Sequence, residues 1–213
     1  MIPDVYLFGD ITTDSVTVAV EKLLTLPLGD RHIWIGSTGG DIDAAIILAS
    51  AIDLIRRNGY TVTTHAAGVA NSCAVFIFQL GDHRTISPHT SMLIHKVFLE
   101  PDEGGEWEQG DLTAQLQGVV NSTNFFFQTL AERSGQSFDF IRHQVQNNHG
   151  QWFLSASEII AFNLADEVIP FAPYIKNENH TSNDVGAEST SSPVVSLSSR
   201  TTRPRTRKRR QAS

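Results

Sequence analysis

Short apolar runs that end in glycine, separated by segments of helical spacing, constrain this chain more than any other feature. Val5-Tyr6-Leu7-Phe8-Gly9 and His32-Ile33-Trp34-Ile35-Gly36 read as strands, and Val18, Leu23 and Leu24 mark a helix over 15–26 between them. The alternation continues with a helix over 43–57, a strand over 60–65, a short helical stretch over 72–80, and strands over 84–86 and 92–94. Such an order favours an α/β layered fold over an all-α or all-β one.

Composition narrows the class. The 213 residues are 40% hydrophobic and 18% charged, which is enough apolar material for one ordinary globular core. The single cysteine, Cys73, excludes an intramolecular disulfide and a cysteine-only metal cage, so a reducing compartment is expected. No run approaches the ~18 apolar residues of a membrane span. The start, Met1-Ile2-Pro3-Asp4, lacks the basic and apolar stretches of a secretion signal, so the chain is expected to begin here and stay in the cytoplasm.

Charge divides the chain in two. Arg200, Arg203, Arg205, Arg207, Lys208, Arg209 and Arg210 hold seven of the 16 basic residues and stand among none of the 23 acidic ones. The remainder is strongly acidic, which argues against a nucleic-acid-binding surface on the fold. Residues 1–172 are the expected folded domain. From about Asn177 the composition turns to Ser, Thr, Asn and Arg, and residues 173–213 read as a disordered tail with a basic end. That end is a contact for a polyanion or an import receptor, or simply solvated charge. An acidic, glycine-bearing loop over 99–110 precedes a long helix in which Leu112, Leu116, Val119, Val120, Phe127 and Leu130 recur at helical spacing. Phe125 and Phe126 widen its apolar surface beyond one stripe, so it is expected to meet a second subunit as well as its own core.

Three segments each supply a part that acyl transfer needs. Ser37-Thr38-Gly39-Gly40-Asp41 joins a strand to a helix, and its glycines can turn backbone N–H groups toward a ligand. It reads equally as a plain turn, and it lacks the Lys of a nucleotide-binding P-loop. Gly68-Val69-Ala70-Asn71-Ser72-Cys73-Ala74 sets a serine among small residues at a helix start, as a nucleophile or as an N-cap. Ser91-Met92-Leu93-Ile94-His95 ends a strand with a histidine, the side chain best suited to take a serine proton near neutral pH.

In this order and spacing the segments resemble the ClpP family of serine peptidases, within the crotonase-like group. The family's S-P-G-G turn stands here as Ser37-Thr38-Gly39-Gly40 and its G-x-x-A-S-x-A segment as residues 68–74. Its M-I-H strand end corresponds to Met92-Leu93-Ile94-His95, its handle helix to residues 111–134, and its F-L-S-A-x-E segment to Phe153-Leu154-Ser155-Ala156-Ser157-Glu158, running on to Asn163-Leu164-Ala165-Asp166. The resemblance covers about residues 5–170. It implies an α/β ClpP/crotonase-like fold of repeated β-β-α units with a protruding handle helix. It also implies a serine endopeptidase with Ser72 as nucleophile, His95 as general base and the N–H groups of Gly40 and Cys73 as the oxyanion hole. No metal and no organic cofactor is implied. The implied partners are a peptide or protein substrate and further copies of the chain, in heptameric rings singly or stacked in pairs.

Three departures from the family pattern qualify that expectation. The family has an Asp two residues before the Phe of F-L-S-A, where this chain has Gln151; aligning forward from Gly135-Gln136-Ser137 puts Asn148 there instead. Either amide is a candidate third member, and His149 and Asn147 stand in the same stretch. An amide can hold the imidazole but cannot stabilise imidazolium by charge. The chain starts almost at its first strand, which argues against an ATP-driven unfoldase partner. The acidic loop stands where the family has a shorter glycine-rich stretch, which favours basic peptides as substrates. The rival readings are a catalytically impaired ClpP-like assembly subunit and a crotonase-type enzyme acting on acyl-CoA.

Overall fold

Seven strands and six helices carry out the expected alternation in a computed structural model that describes residues 2–98 and 109–172. β1 (Val5–Ile11), α1 (Thr13–Thr25), β2 (Arg31–Gly40), α2 (Ile42–Arg57), β3 (Val62–Asn71) and α3 (Cys73–Gln79) form three successive strand-helix units. β4 (His83–Ile86), β5 (Ser91–His95) and α4 (Gln109–Ser134) follow in β-β-α order, then α5 (Phe138–Asn147), β6 (Gln151–Leu154), α6 (Ala156–Ala161) and β7 (Glu167–Val168). The sheet runs β1-β2-β3-β4-β7 in parallel, and β5 pairs with the end of β3 and antiparallel with β6. This is the mixed α/β architecture of the ClpP fold.

Local chemistry explains where the elements depart from their expected bounds. α1 begins at Thr13 because the Thr12 and Ser15 side chains cap each other's main-chain N–H at 3.1 and 2.9 Å. Buried Arg31 donates to the carbonyls of Leu23, Leu26 and Pro27, satisfying acceptors that the end of α1 leaves open. The larger difference is in β2 and β3. The segment 37–40, expected as a turn, continues β2 as strand, and β3 runs six residues past His65 to Asn71. β3 pairs β4 through Ala66 and then takes β5 as its neighbour from Val69, so the strand bends on the way to Ser72.

α3 is buried along its whole length, with Phe76 and Phe78 at 0% exposure, so it is the centre of the core and not a surface helix. Burying each such ring contributes roughly 1.5–3 kcal/mol. α4 is divided: Phe126, Phe127, Leu130 and Ala131 are buried, whereas Leu112, Leu116 and Val120 stay 43–51% exposed on one stripe. Its second half therefore closes the core while its first half offers an apolar face. No described helix is long and apolar enough to cross a membrane. The acidic loop lies outside the described residues up to Glu108, and Gln109 and Gly110 open α4 instead. The tail from Pro173 also lies outside them.

Candidate active site

β3 ends by handing Ser72 to a tight strand-to-helix turn. Asn71 stands in register with Leu93 of β5, and the Ser72 N–H donates to the Leu93 carbonyl at 2.8 Å. Ser72 itself has φ 56 and ψ −129, a conformation that costs a non-glycine residue about 1–3 kcal/mol. It occupies the N-cap position of α3 but makes no side-chain cap hydrogen bond. The hydroxyl is thus not spent on the helix, and the capping role that serine would ordinarily take there is not what holds it. Serine on a strained strand-to-helix turn is also how other hydrolase folds present a nucleophile.

The glycine pair is dictated by this turn. Gly39 has φ +106, and a Cβ there would stand 2.6 Å from Ser72 Cβ and 2.9 Å from the Asn71 carbonyl oxygen. Gly40 has φ +143, and its Cβ would meet the Ile11 carbonyl oxygen at 2.2 Å. Any side chain at either position forces the backbone apart. Ile11 faces Gly40 in the parallel ladder and accepts from Asp41 N–H at 2.8 Å. A residue in such a ladder bonds to the neighbours of the residue it faces, so the Gly40 N–H points away from β1.

Burial, with Asp41's charge adding to it, pushes the Cys73 thiol up to about 12, and the N–H groups of Cys73 and Gly40 act in the opposite direction. The thiol is therefore protonated and inert near neutral pH. The two N–H groups that act on it are the ones that the resemblance matches to the oxyanion hole. Cys73 is also the first residue of α3, whose N–H has no acceptor within the helix.

His95 closes β5. Its ring stacks on Phe98 with centroids 4.8 Å apart and planes at 21°, and its Nδ1 lies 2.5 Å from the Lys96 carbonyl oxygen. A carbonyl only accepts, so Nδ1 carries the hydrogen and Nε2 keeps its lone pair. Ser72, Cys73, Gly39, Gly40 and His95 line one cleft of about 950 Å³, with Phe98 and Phe126 as apolar wall. Asp10, Asp14 and Asp41 also line it, and no Lys or Arg does so among the described residues. Asp41 is engaged as the N-cap of α2, accepting from Asp43 and Ala44 at 2.8 and 3.3 Å. The hydroxyl and the imidazole share the cleft without a direct hydrogen bond, a common state for a site without substrate.

The candidate third members separate. The Asn148 amide donates to the Gln144 carbonyl at 2.7 Å, closing the end of α5. Gln151 of β6 stands directly opposite His95, so the two side chains share a face of the sheet. Asn147 ends α5, and His149 takes a positive φ of 57 in the turn that follows. None of the four makes a hydrogen bond to His95 among the described residues. Two features escaped the sequence reading: Phe98 as the stacking partner of His95, and Thr123, whose Oγ1 accepts from the Val97 N–H at 3.1 Å across 26 residues of chain. The Thr123 contact carries no local sequence signal, since it forms only when α4 comes beside the segment that follows β5.

The Clp protease family model matches residues 3–171. The chain is 30% identical over 176 residues to the ATP-dependent Clp protease proteolytic subunit 2 of Chlamydia trachomatis serovar D, covering 80% of this chain and 82% of that protein. It is 29% identical over 170 residues to the ATP-dependent Clp protease proteolytic subunit of Pleurastrum terricola, covering 77% and 82%. Subunit 1 from Gloeobacter violaceus is 24% identical over 175 residues, covering 79% and 84%. Because that match runs from before β1 to beyond β7 and takes in both the Ser72 turn and the His95 strand end, the chain belongs to the Clp protease family.

Proposed function

We propose that this chain is a serine endopeptidase that works through an acyl-enzyme at Ser72. His95 Nε2 takes the Ser72 proton as Oγ attacks the scissile carbonyl, and the N–H groups of Gly40 and Cys73 receive the developing oxyanion. The same Nε2–H then protonates the leaving amine, and water repeats the sequence to release the acid. The observation that carries this reading is the pairing of a strained, uncapped Ser72 with an imidazole whose Nε2 is left as acceptor, both on one cleft. Membership of the Clp protease family supports peptide-bond hydrolysis as the chemistry.

The acid-lined cleft, which no Lys or Arg lines among the described residues, favours substrates with basic side chains. The exposed stripe of Leu112, Leu116 and Val120 supports assembly through α4, in heptameric rings or pairs of rings, and the cytoplasm as the site of action is part of the same reading. The relatives' names describe them as ATP-dependent; for this chain the basic tail is read as a separate contact for polyanions.

A fluorophosphonate probe with mass mapping of the adduct tests the chemistry. Labelling at Ser72 that disappears in Ser72→Ala and His95→Ala is the expected result. A correctly assembled oligomer that never labels would favour the assembly-subunit reading, whose supporting observation is that no carboxylate touches His95 among the described residues. Tight acyl-CoA binding that survives Ser72→Ala would favour the crotonase reading.

A further inference from the structure

We propose that Thr123 is a positioning residue for His95, acting through the Lys96–Val97 peptide, and that the Lys96 carbonyl performs the orienting work usually given to an acid. The inference rests on the Ser72–His95 reading for its chemical meaning, but its geometry stands by itself. Nδ1 of His95 donates to the Lys96 carbonyl at 2.5 Å. The other side of that same peptide unit, the Val97 N–H, donates to Thr123 Oγ1 at 3.1 Å. A peptide unit is planar, so fixing its N–H fixes the direction of its carbonyl. Thr123 is buried, 9% exposed, on the half of α4 that closes the core, which makes it a firmer anchor than a surface side chain. The Phe98 ring, one residue beyond that peptide, holds the imidazole's face at 4.8 Å.

This arrangement supplies two of the three things an acid would supply. It selects the Nδ1–H tautomer and it fixes the ring, while a neutral dipole offers imidazolium less stabilisation than a carboxylate does. It also accounts for a chain that places amides, and no carboxylate, at the positions where the family has Asp: the orienting contact comes from main chain next in sequence to the histidine itself. Thr123 reaches it from α4, so the orientation of His95 depends on where that helix sets the Thr123 hydroxyl.

The test compares Thr123→Val, which keeps the shape and removes the acceptor, with Thr123→Ser, which keeps the acceptor. The charged groups sharing the cleft with His95 are Asp10, Asp14 and Asp41, and both variants leave them in place. In full-length, assembled protein the rate of fluorophosphonate labelling at Ser72 should fall roughly tenfold in Thr123→Val, as is usual when an outer partner of a functional histidine is lost. The acidic limb of its pH profile, where His95 must lose its proton to act as base, should move to lower pH, and Thr123→Ser should restore both. Long-range proton–nitrogen NMR on histidine-labelled protein, with His95 assigned by its loss in His95→Ala, reads the contact without any chemistry. The wild type should show the Nδ1–H tautomer and Thr123→Val a mixture of both. An unchanged tautomer and unchanged labelling rate in Thr123→Val would overturn the proposal. If instead the tautomer responds to Thr123→Val and Ser72 never labels, the positioning contact stands and the peptidase reading falls.

Discussion

Two histidines on neighbouring strands show what separates a reactive imidazole from a structural one. His65 of β3 is 7% exposed, with Nδ1 2.9 Å from Thr85 Oγ1, Nε2 3.1 Å from Ser87 Oγ, and Trp34 packed on its ring at 4.7 Å. Both nitrogens are occupied. His95 has an aromatic neighbour too, Phe98, but only Nδ1 is held, and the residue lines the same cleft as Ser72. Reactivity follows from the one nitrogen left unspent, since a general base must have a lone pair directed at the proton it takes. The sharpest way to break the comparison is to truncate each. His95→Ala should lower labelling of Ser72 by at least about a thousandfold while leaving the melting temperature nearly unchanged. His65→Ala should do the reverse, costing about 1–3 kcal/mol in denaturant titrations by taking the ring from the Ser87 hydroxyl and leaving the Thr85 hydroxyl only its bond to the Thr64 carbonyl, with Ser72 still labelled. Equal losses of activity from both substitutions would erase the distinction.

The next largest effect tests whether the cleft holds Ser72 where His95 needs it. Gly39→Ala puts a methyl 2.6 Å from Ser72 Cβ, and the serine turn must move. A displacement near 1 Å at a nucleophile costs on the order of a hundredfold in rate, so labelling should fall by that amount with the fold retained, as followed by circular dichroism. His65 lies outside that cleft, and its contribution to stability should be unaffected in the double variant. Gln151→Asp sharpens the comparison in the opposite sense. It sets a carboxylate across the sheet from His95, on the same face, where the imidazolium formed during reaction now has only a carbonyl. The labelling rate should rise roughly tenfold near neutral pH, and the acidic limb of the profile should move to higher pH. A rate that stays flat would mean that the side chain at 151 does not reach the ring.

Much of this was legible in the chain, and the limits have physical reasons. Strand-helix alternation and the long apolar helix follow from periodicity, and the pairing of Ser72 with His95 follows from the family resemblance that the ordered motifs carry. The extension of β2 through Gly40 was not legible, because Ser-Thr-Gly-Gly has poor strand propensity and the segment is held by its ladder with β1 and by the closeness of Ser72. Local reading likewise treats Ser72 as a natural N-cap, and only its φ and ψ show that the cap is unused. Asp166, read only as the end of a motif, turns out to be a structural anchor. Its carboxylate accepts from the Arg84 main-chain N–H at 2.7 Å and from Arg84 Nε at 3.2 Å, across 82 residues of chain. Burial would raise its pKa, but those bonds outweigh it and hold the group below its ordinary value. Which nitrogen of which histidine is satisfied depends on contacts from β4, α4 and the segment after β5, and no short window of sequence contains them.

The smallest effect concerns pH and falls on the structural histidine alone. Burial lowers the pKa of His65 below its ordinary 6.5, because charging the ring inside the fold is opposed by lost hydration. The unfolded chain therefore binds a proton at higher pH than the folded one does. Above about 6.5 His65 is neutral in both states and its contribution to stability is complete; as pH falls below that value the unfolded state gains the proton first, and stability declines until the folded pKa is passed. The slope for one such group is at most about 1.4 kcal/mol per pH unit. His65→Gln removes the titration but keeps a side chain able to bond to hydroxyls, so the wild type should lose more stability than the variant between pH 7.5 and 5.5. Parallel stability curves for the two proteins would show that His65 titrates alike in both states, and that its two hydroxyl partners accommodate the charged ring as readily as water does.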